Sequence, residues 1–224
     1  MKNRKIPPLV KKIQNHKFPE INWETSKYIS YSQFSLFNGC NNRWALQYRD
    51  RHKRFTSSIS TVFGEAIHKT FQNYLTIMFE KSGVDADCMD LEEMLENEIG
   101  ESYKKEYEKN DKTHFTNSSD LREHYEDGVE IIRYLKKNRL KYFSKRDWWL
   151  VGCEIPLILV PNPKFKNTFY KAFLDLVLYH EPTETFKIID FKTSRASWSD
   201  KQKKDKNKIN QLILYKHFFS QIYK

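Results

Sequence analysis

The hydrophobic period of this chain changes after Arg146, and that change limits the folds open to it. Before it, apolar residues recur at helical spacing in three stripes. These are Phe34, Phe37, Trp44, Ala45 and Tyr48; then Phe63, Ile67, Phe71, Tyr74, Leu75 and Met78; then Leu121, Tyr125, Val129, Ile132, Leu135 and Tyr142. They predict helices from a serine cap at Ser32 to Tyr48, weakened by Gly39, from Phe63 to Glu80, and from Ser119 to Ser144. The acidic stretch from Leu91 to Tyr107 adds a helix with few apolar positions. After Arg146 come three short runs rich in aliphatic and aromatic residues, WWLVGCEIPLILV, FYKAFLDLVLY and TFKIIDFKT, parted by the turn signals PNPKFKN and HEPTE. Three such strands in succession form an antiparallel meander. A basic polar loop then leads to a last helix from Lys206, carrying Ile209, Leu212, Ile213, Tyr215 and Phe219.

A chain of 224 residues makes one domain, placed at residues 26–224: a helical part over 30–146, strands over 148–194 and a final helix over 205–224. Residues 1–25, with Pro7, Pro8 and Pro19 among lysines, read as a basic, poorly ordered arm unless it docks. The net charge of +10 is uneven, because residues 85–108 hold ten acids against two lysines, −8 in all, which leaves +18 elsewhere. Such a surface attracts polyanions, nucleic acid above all, although it fits a merely solvated face equally well. The acidic stretch itself reads either as a phosphate-mimicking or partner surface or as a plain exposed helix. No run approaches the ~18 apolar residues of a membrane span, and MKNRKIPPLVKK has no signal-peptide core, so a cytoplasmic protein is expected. Three cysteines without a CxxC pair suggest neither disulfides nor zinc; Cys40 reads as a small buried hydrophobe. With six glycines and no Gly-rich loop, P-loop and Rossmann nucleotide sites are disfavoured.

The chemistry concentrates in Ile188-Ile189-Asp190-Phe191-Lys192-Thr193, where strand period two puts Asp190 and Lys192 on one face and Phe191 on the other. An acid followed two residues later by a base occurs about five times by chance in such a composition, so context decides, and an ordinary surface pair is the alternative. The context is Asp175, inside the apolar run Phe173 to Leu178, where an isolated charge costs several kcal/mol unless paired or bound to a cation. A turn between strands can set Asp175 beside Asp190, and a hard divalent cation removes their repulsion. Glu154 is a third acid in an apolar run. His68 sits at the edge of a helical stripe, either as a ligand or as a boundary histidine bonded to a carbonyl. Gln211 and Tyr215, four apart, face the same way. The loop 195–208, with Trp198, suits either a phosphate grip or a solvated loop.

In order, SQFSLFNGCNNRWALQY over 32–48, GEAIH ending at His68, Glu154, FLDLV around Asp175, IIDFKT and QLILY resemble the RecB-like branch of the PD-(D/E)XK nuclease superfamily, of helicase-associated, phage and CRISPR-associated DNA exonucleases. The resemblance implies an α/β, α+β-like fold with a restriction-endonuclease-like core: N-terminal helices on a small mixed sheet that contains the meander, with a C-terminal helix. It implies that His68, Asp175, Asp190 and the Phe191 carbonyl hold Mg²⁺ or Mn²⁺ and that Lys192 orients or deprotonates the attacking water. Glu154 helps orient the site, Gln211 and Tyr215 position the strand, and Arg195 is a further substrate contact. It implies DNA as partner, as single strands or linear ends, a setting in repair, recombination or phage DNA metabolism, and a helicase or recombination protein alongside. The alternative is a catalytically silent nuclease-like module that binds nucleic acid or a partner; RNA in place of DNA also stays open. Some relatives carry an iron–sulphur cluster, but no cysteine follows Cys153, so no cluster is expected; relatives also usually continue beyond the last helix.

Overall fold

The structure, a computed structural model, describes residues 5–52, 57–194 and 199–223. A long hairpin organises it. Strands β2 (Trp148–Leu159) and β3 (Thr168–His180) pair antiparallel from Leu159 opposite Tyr170 to Trp148 opposite His180. The chain turns back at Glu181–Thr183 and through Glu184, at φ 49°, into β4 (Thr185–Ile189), antiparallel to the end of β3. The expected meander is thus present, with its last strand ending four residues before Thr193. A short strand the sequence reading did not include, β1 (Lys27–Ile29), runs parallel to the start of β3 and makes the four-stranded sheet mixed. Since β2 follows one edge of β3, β1 and β4 share the other at its two ends, with residues 171–175 between them.

Each sheet face carries its own core. On one lie α4 (Ile59–Glu80), α5 (Gly83–Asp87), α6 (Leu91–Lys109) and α7 (Ser118–Tyr142), burying Ile67, Leu75, Leu95 and Ile132 against Leu176 and Leu178. On the other, Tyr215, Phe218 and Phe219 of α9 (Lys206–Ile222) cover Leu157, Tyr170, Leu174 and Val177. Every long helix begins at a side-chain cap, Ser58, Asp90, Asn117 or Asp205, which accepts an otherwise unpaired backbone N–H. The acidic segment is not a bare exposed helix: α6 buries Leu91, Leu95 and Ile99, and its charges meet α4 through Lys69–Glu98 at 2.9 Å and Lys105–Glu65 at 2.8 Å. Arg139 of α7 ties three helices by donating to the Tyr74 hydroxyl and the Gly83 carbonyl, both at 3.1 Å, and to Asp87.

Three sequence expectations are corrected. Within residues 1–25, α1 (Pro8–Gln14) docks on the sheet, with Val10 and Ile13 buried and Gln14 Nε2 donating to the Val151 carbonyl at 3.0 Å. A seven-residue helix with two buried positions is too short to show a period. The helix expected over 32–48 is broken: α2 (Tyr31–Gly39) starts from Ser30, ends at an extended Cys40, and is followed by α3 (Asn41–Trp44), a wider turn over Ala45–Arg49 and exposed Phe34 and Phe37. Nothing in α2 is buried, so no packing holds the helix through Gly39. Cys40 is exposed rather than buried, because its sulphur accepts the Arg43 N–H at 3.4 Å and caps α3. The four-residue helix α8 (Asp200–Lys203) precedes α9. No helix among the described residues is long and apolar enough to cross a membrane.

Side chains from α1 and from the end of α9 bond carbonyls of β2. Pro156, which has no N–H to leave unpaired, offers its carbonyl to the Tyr223 hydroxyl at 2.8 Å, while Gln14 occupies the other end. The Tyr223 ring meets His16 edge-on at 5.0 Å.

Gly128 is the closest approach of the helical layer: a Cβ there would lie 2.5 Å from Leu95 Cδ2 and 3.0 Å from Phe63 Cε2, with Leu95 fully buried. Gly100 on α6 has nothing within 4 Å. Gly100→Ala should therefore stabilise the protein by about 0.5–1 kcal/mol, the usual helical gain. Gly128→Ala should instead destabilise it by about 1–3 kcal/mol through overpacking. Urea unfolding of the two variants checks the opposite signs.

Candidate active site

Strand β3 changes face at Asp175. Tyr170, Ala172 and Leu174 lie in the core under α9, and period two would put Leu176 with them; instead Leu176 and Leu178 lie in the core under α4. Strand β2 makes the matching switch, with Cys153 packed toward α4 and Ile155 and Leu157 toward α9. Between them Glu154 adopts φ 51°, a left-handed conformation that costs a non-glycine residue roughly 1–2 kcal/mol. The pairs Cys153–Leu176 and Ile155–Leu174 bracket the two acids, so Glu154 and Asp175 flank each other where both strands twist.

Three segments converge on this twist. Helix α4 presents His68 and, one turn on, Gln72. Gln72 Nε2 donates to Glu154 Oε1 at 2.7 Å and to the Asp175 carbonyl at 3.2 Å, while His68 Nδ1 lies 3.8 Å from Asp175 Oδ2. Just beyond β4, the Phe191 N–H donates to Asp175 Oδ2 at 2.6 Å, and its ring meets His68 and Phe71 edge-on at 5.8 and 5.9 Å. That anchoring holds its neighbours together on the other side, where Lys192 Nζ lies 2.8 Å from Asp190 Oδ2. From α9, Gln211 Nε2 donates to the Tyr215 hydroxyl at 2.7 Å and reaches Asp190 Oδ1 at 3.5 Å.

The structure therefore places His68, Glu154, Asp175, Asp190, Phe191, Lys192, Gln211 and Tyr215 in one neighbourhood. Arg195 and Trp198 lie outside the described residues. Gln72 was not singled out in the sequence; its signal is a buried amide one turn from His68 on an apolar stripe. A cleft of about 610 Å³ opens beside the site, lined among others by Tyr31, Ser32, Ser35, Arg43, Lys192 and Gln211, and among the described residues no carboxylate lines it.

The electrostatics follow from burial. The side chains of Asp175 and Asp190 are only 14% and 11% exposed. Burial pushes the Asp175 carboxyl above the ordinary range, with Asp190 and Glu154 adding to it, against the Phe191 N–H and His68, which favour the charged form. Burial, reinforced by the three carboxylates, pushes the Tyr215 phenol up to about 12 despite its bond from Gln211, so it keeps its proton and can donate.

Two crowded carboxylates with a histidine beside them fit a hard divalent cation in donor chemistry. Among the described residues no three His, Cys, Asp or Glu side chains are yet gathered around one point, and Lys192 supplies the positive charge at Asp190.

No curated protein matches the sequence at a significant level. The model of one family matches residues 28–224, from β1 through the strand that carries Asp175 and the segment after β4 that carries Asp190 to the helix that carries Gln211 and Tyr215. The mixed sheet with its meander, the helical layer and the C-terminal helix agree with that family's restriction-endonuclease-like core, and the chain belongs to the PD-(D/E)XK nuclease superfamily.

Proposed function

We propose that this chain is a RecB-like, metal-dependent deoxyribonuclease that hydrolyses phosphodiesters in linear or single-stranded DNA, working from ends, in repair, recombination or phage DNA metabolism. The observation that carries the nuclease reading is the meeting of Asp175, Asp190 and Lys192, locked by the Phe191 N–H, beside a cleft without carboxylates among the described residues. The preference for ends rests on the order of motifs that resembles the RecB-like branch, as does a helicase or recombination partner.

In this reading His68, Asp175, Asp190 and the Phe191 carbonyl hold Mg²⁺ or Mn²⁺. When bound, such an ion supplies acidity to water and positive charge to the phosphate. Lys192 as the ammonium would orient the attacking water, or as the neutral amine would take its proton and become the ammonium; in either case the ammonium would face the charge that builds on the phosphate. Tyr215, held protonated, and Gln211 donate to the strand and keep the scissile bond in line. Glu154 acts through Gln72, which bridges it to the backbone of Asp175 and keeps that carboxylate in place. The cleft offers hydroxyls and Arg43 to the phosphates on either side.

End-labelled single- and double-stranded linear DNA, beside a closed circle, should be shortened by the wild type with Mg²⁺ or Mn²⁺ and left whole in EDTA. Asp190→Asn and Lys192→Ala should each lower the rate by about 10³-fold. Wild-type rates in both variants would refute the site, and cutting of the circle would refute the need for ends. Binding without cleavage under any metal would identify a silent module.

Metal binding also has a stability readout. Millimolar Mg²⁺ should raise the Tm of the wild type, since a ligand of the folded state stabilises it. Asp175→Asn removes a charge that burial disfavours, so in EDTA it should raise Tm by about 2–4 °C for each kcal/mol relieved. The same variant should lose the Mg²⁺ increment. Differential scanning fluorimetry reads both, and a wild-type Tm indifferent to Mg²⁺ and Mn²⁺ would count against a cation at these carboxylates.

A further inference from the structure

The two faces of the first half of β3 are unequal. On one, Tyr170, Ala172 and Leu174 are buried under α9; on the other, Phe169, Lys171 and Phe173 alternate along the strand, and Asp175 continues the same series. Residues of and before β1 join this second face. Lys171 Nζ lies 4.8, 5.6 and 5.8 Å from the ring centres of Trp23, Tyr28 and Phe173, and Trp23 meets Tyr28 and Phe169 edge-on at 6.3 and 5.8 Å. These rings are not a small core of their own, because Trp23, Tyr28 and Phe173 keep 41%, 52% and 43% of their surface exposed. A cluster of large aromatics left open to water marks a binding surface.

Two features identify what it binds. First, Lys171 lies among the rings of this face, whose other side chains Trp23, Tyr28, Phe169 and Phe173 carry no charge, so the row suits an anion. Second, it is continuous with the site: from Phe169 to Asp175 the strand advances about 20 Å, room for several nucleotides. Unpaired bases have faces to stack on aromatic rings and a phosphate for Lys171, whereas a closed duplex hides its faces.

We propose that Trp23, Tyr28, Lys171 and Phe173 form a platform on which single-stranded nucleic acid lies as it enters the carboxylate site. This rests on reading that site as a nuclease centre. The bases stack on the three rings, and Lys171 leaves them to pair with a phosphate.

The test measures binding in EDTA by fluorescence anisotropy, with a labelled oligothymidine of about 16 nucleotides and a hairpin duplex as probes. Tyr28→Ala combined with Phe173→Ala should weaken single-strand binding by about 10- to 100-fold and duplex binding by less than about 2-fold. Tyr28→Phe combined with Phe173→Tyr, which keeps the rings, should bind as the wild type, and Lys171→Gln should flatten the salt dependence. Unchanged single-strand affinity in the alanine pair, or equal loss for both probes, would overturn the platform. So would a change in mass by light scattering with oligonucleotide binding intact, since the row would then join copies of the chain. Because binding is read without turnover, a protein that binds through the row yet never cuts DNA refutes the nuclease reading and leaves the platform standing.

Discussion

The hydrogen bond from the Phe191 N–H to Asp175 joins the two segments on which the site depends. It comes at 2.6 Å from the first loop turn after β4, across the sheet edge, to a carboxylate where β3 changes face. This contact restrains the Asp175 carboxylate and holds the segment that carries Asp190 and Lys192 against β3. The aromatic contacts of Phe191 with His68 and Phe71 then lock the loop to α4, so the helical layer and the sheet share one reference point. A charge-assisted bond of this kind is stronger than a neutral one, which suits a junction that must hold geometry while burying an acid.

The site is assembled from features that oppose stability. Asp175 is charged where burial disfavours charge, Glu154 sits in a left-handed conformation inside a strand, and Asp190 is held next to both. The two cores on either side of the sheet, with Leu174 and Leu176 fully buried on opposite faces one residue from Asp175, keep the twist in place. The face change thus sets a largely buried acid at the boundary between two packed layers.

The long helices and the three strands of the meander were legible because each buries a stripe with many turns or alternations, as α4 and β3 do. The acid positions were legible for a related reason: Asp175 interrupts an apolar run, and an interruption that a chain keeps calls for a local partner. What escaped reading is short or depends on distant pairing. Strand β1 has three exposed residues and exists only because β3 leaves part of an edge open; α1 buries two residues against a sheet about 140 positions away in the chain. The break at Cys40 reflects missing burial, which a stripe of Phe34, Phe37 and Trp44 could not reveal. Gln72 escaped because an amide on an apolar stripe acquires meaning only when Glu154, on a bulged strand, turns toward it.

The bonding of β2 bears on how the chain reaches its fold. Strand β2 is bonded near one end by Gln14 and near the other by Tyr223, whose ring also meets His16, so residues far apart in the sequence must meet on one strand. During synthesis the hairpin is complete well before α9 emerges, and its apolar face waits for that helix. Contacts of such sequence separation form late and slowly, so the interval between hairpin and final helix is when this chain is most exposed to joining another.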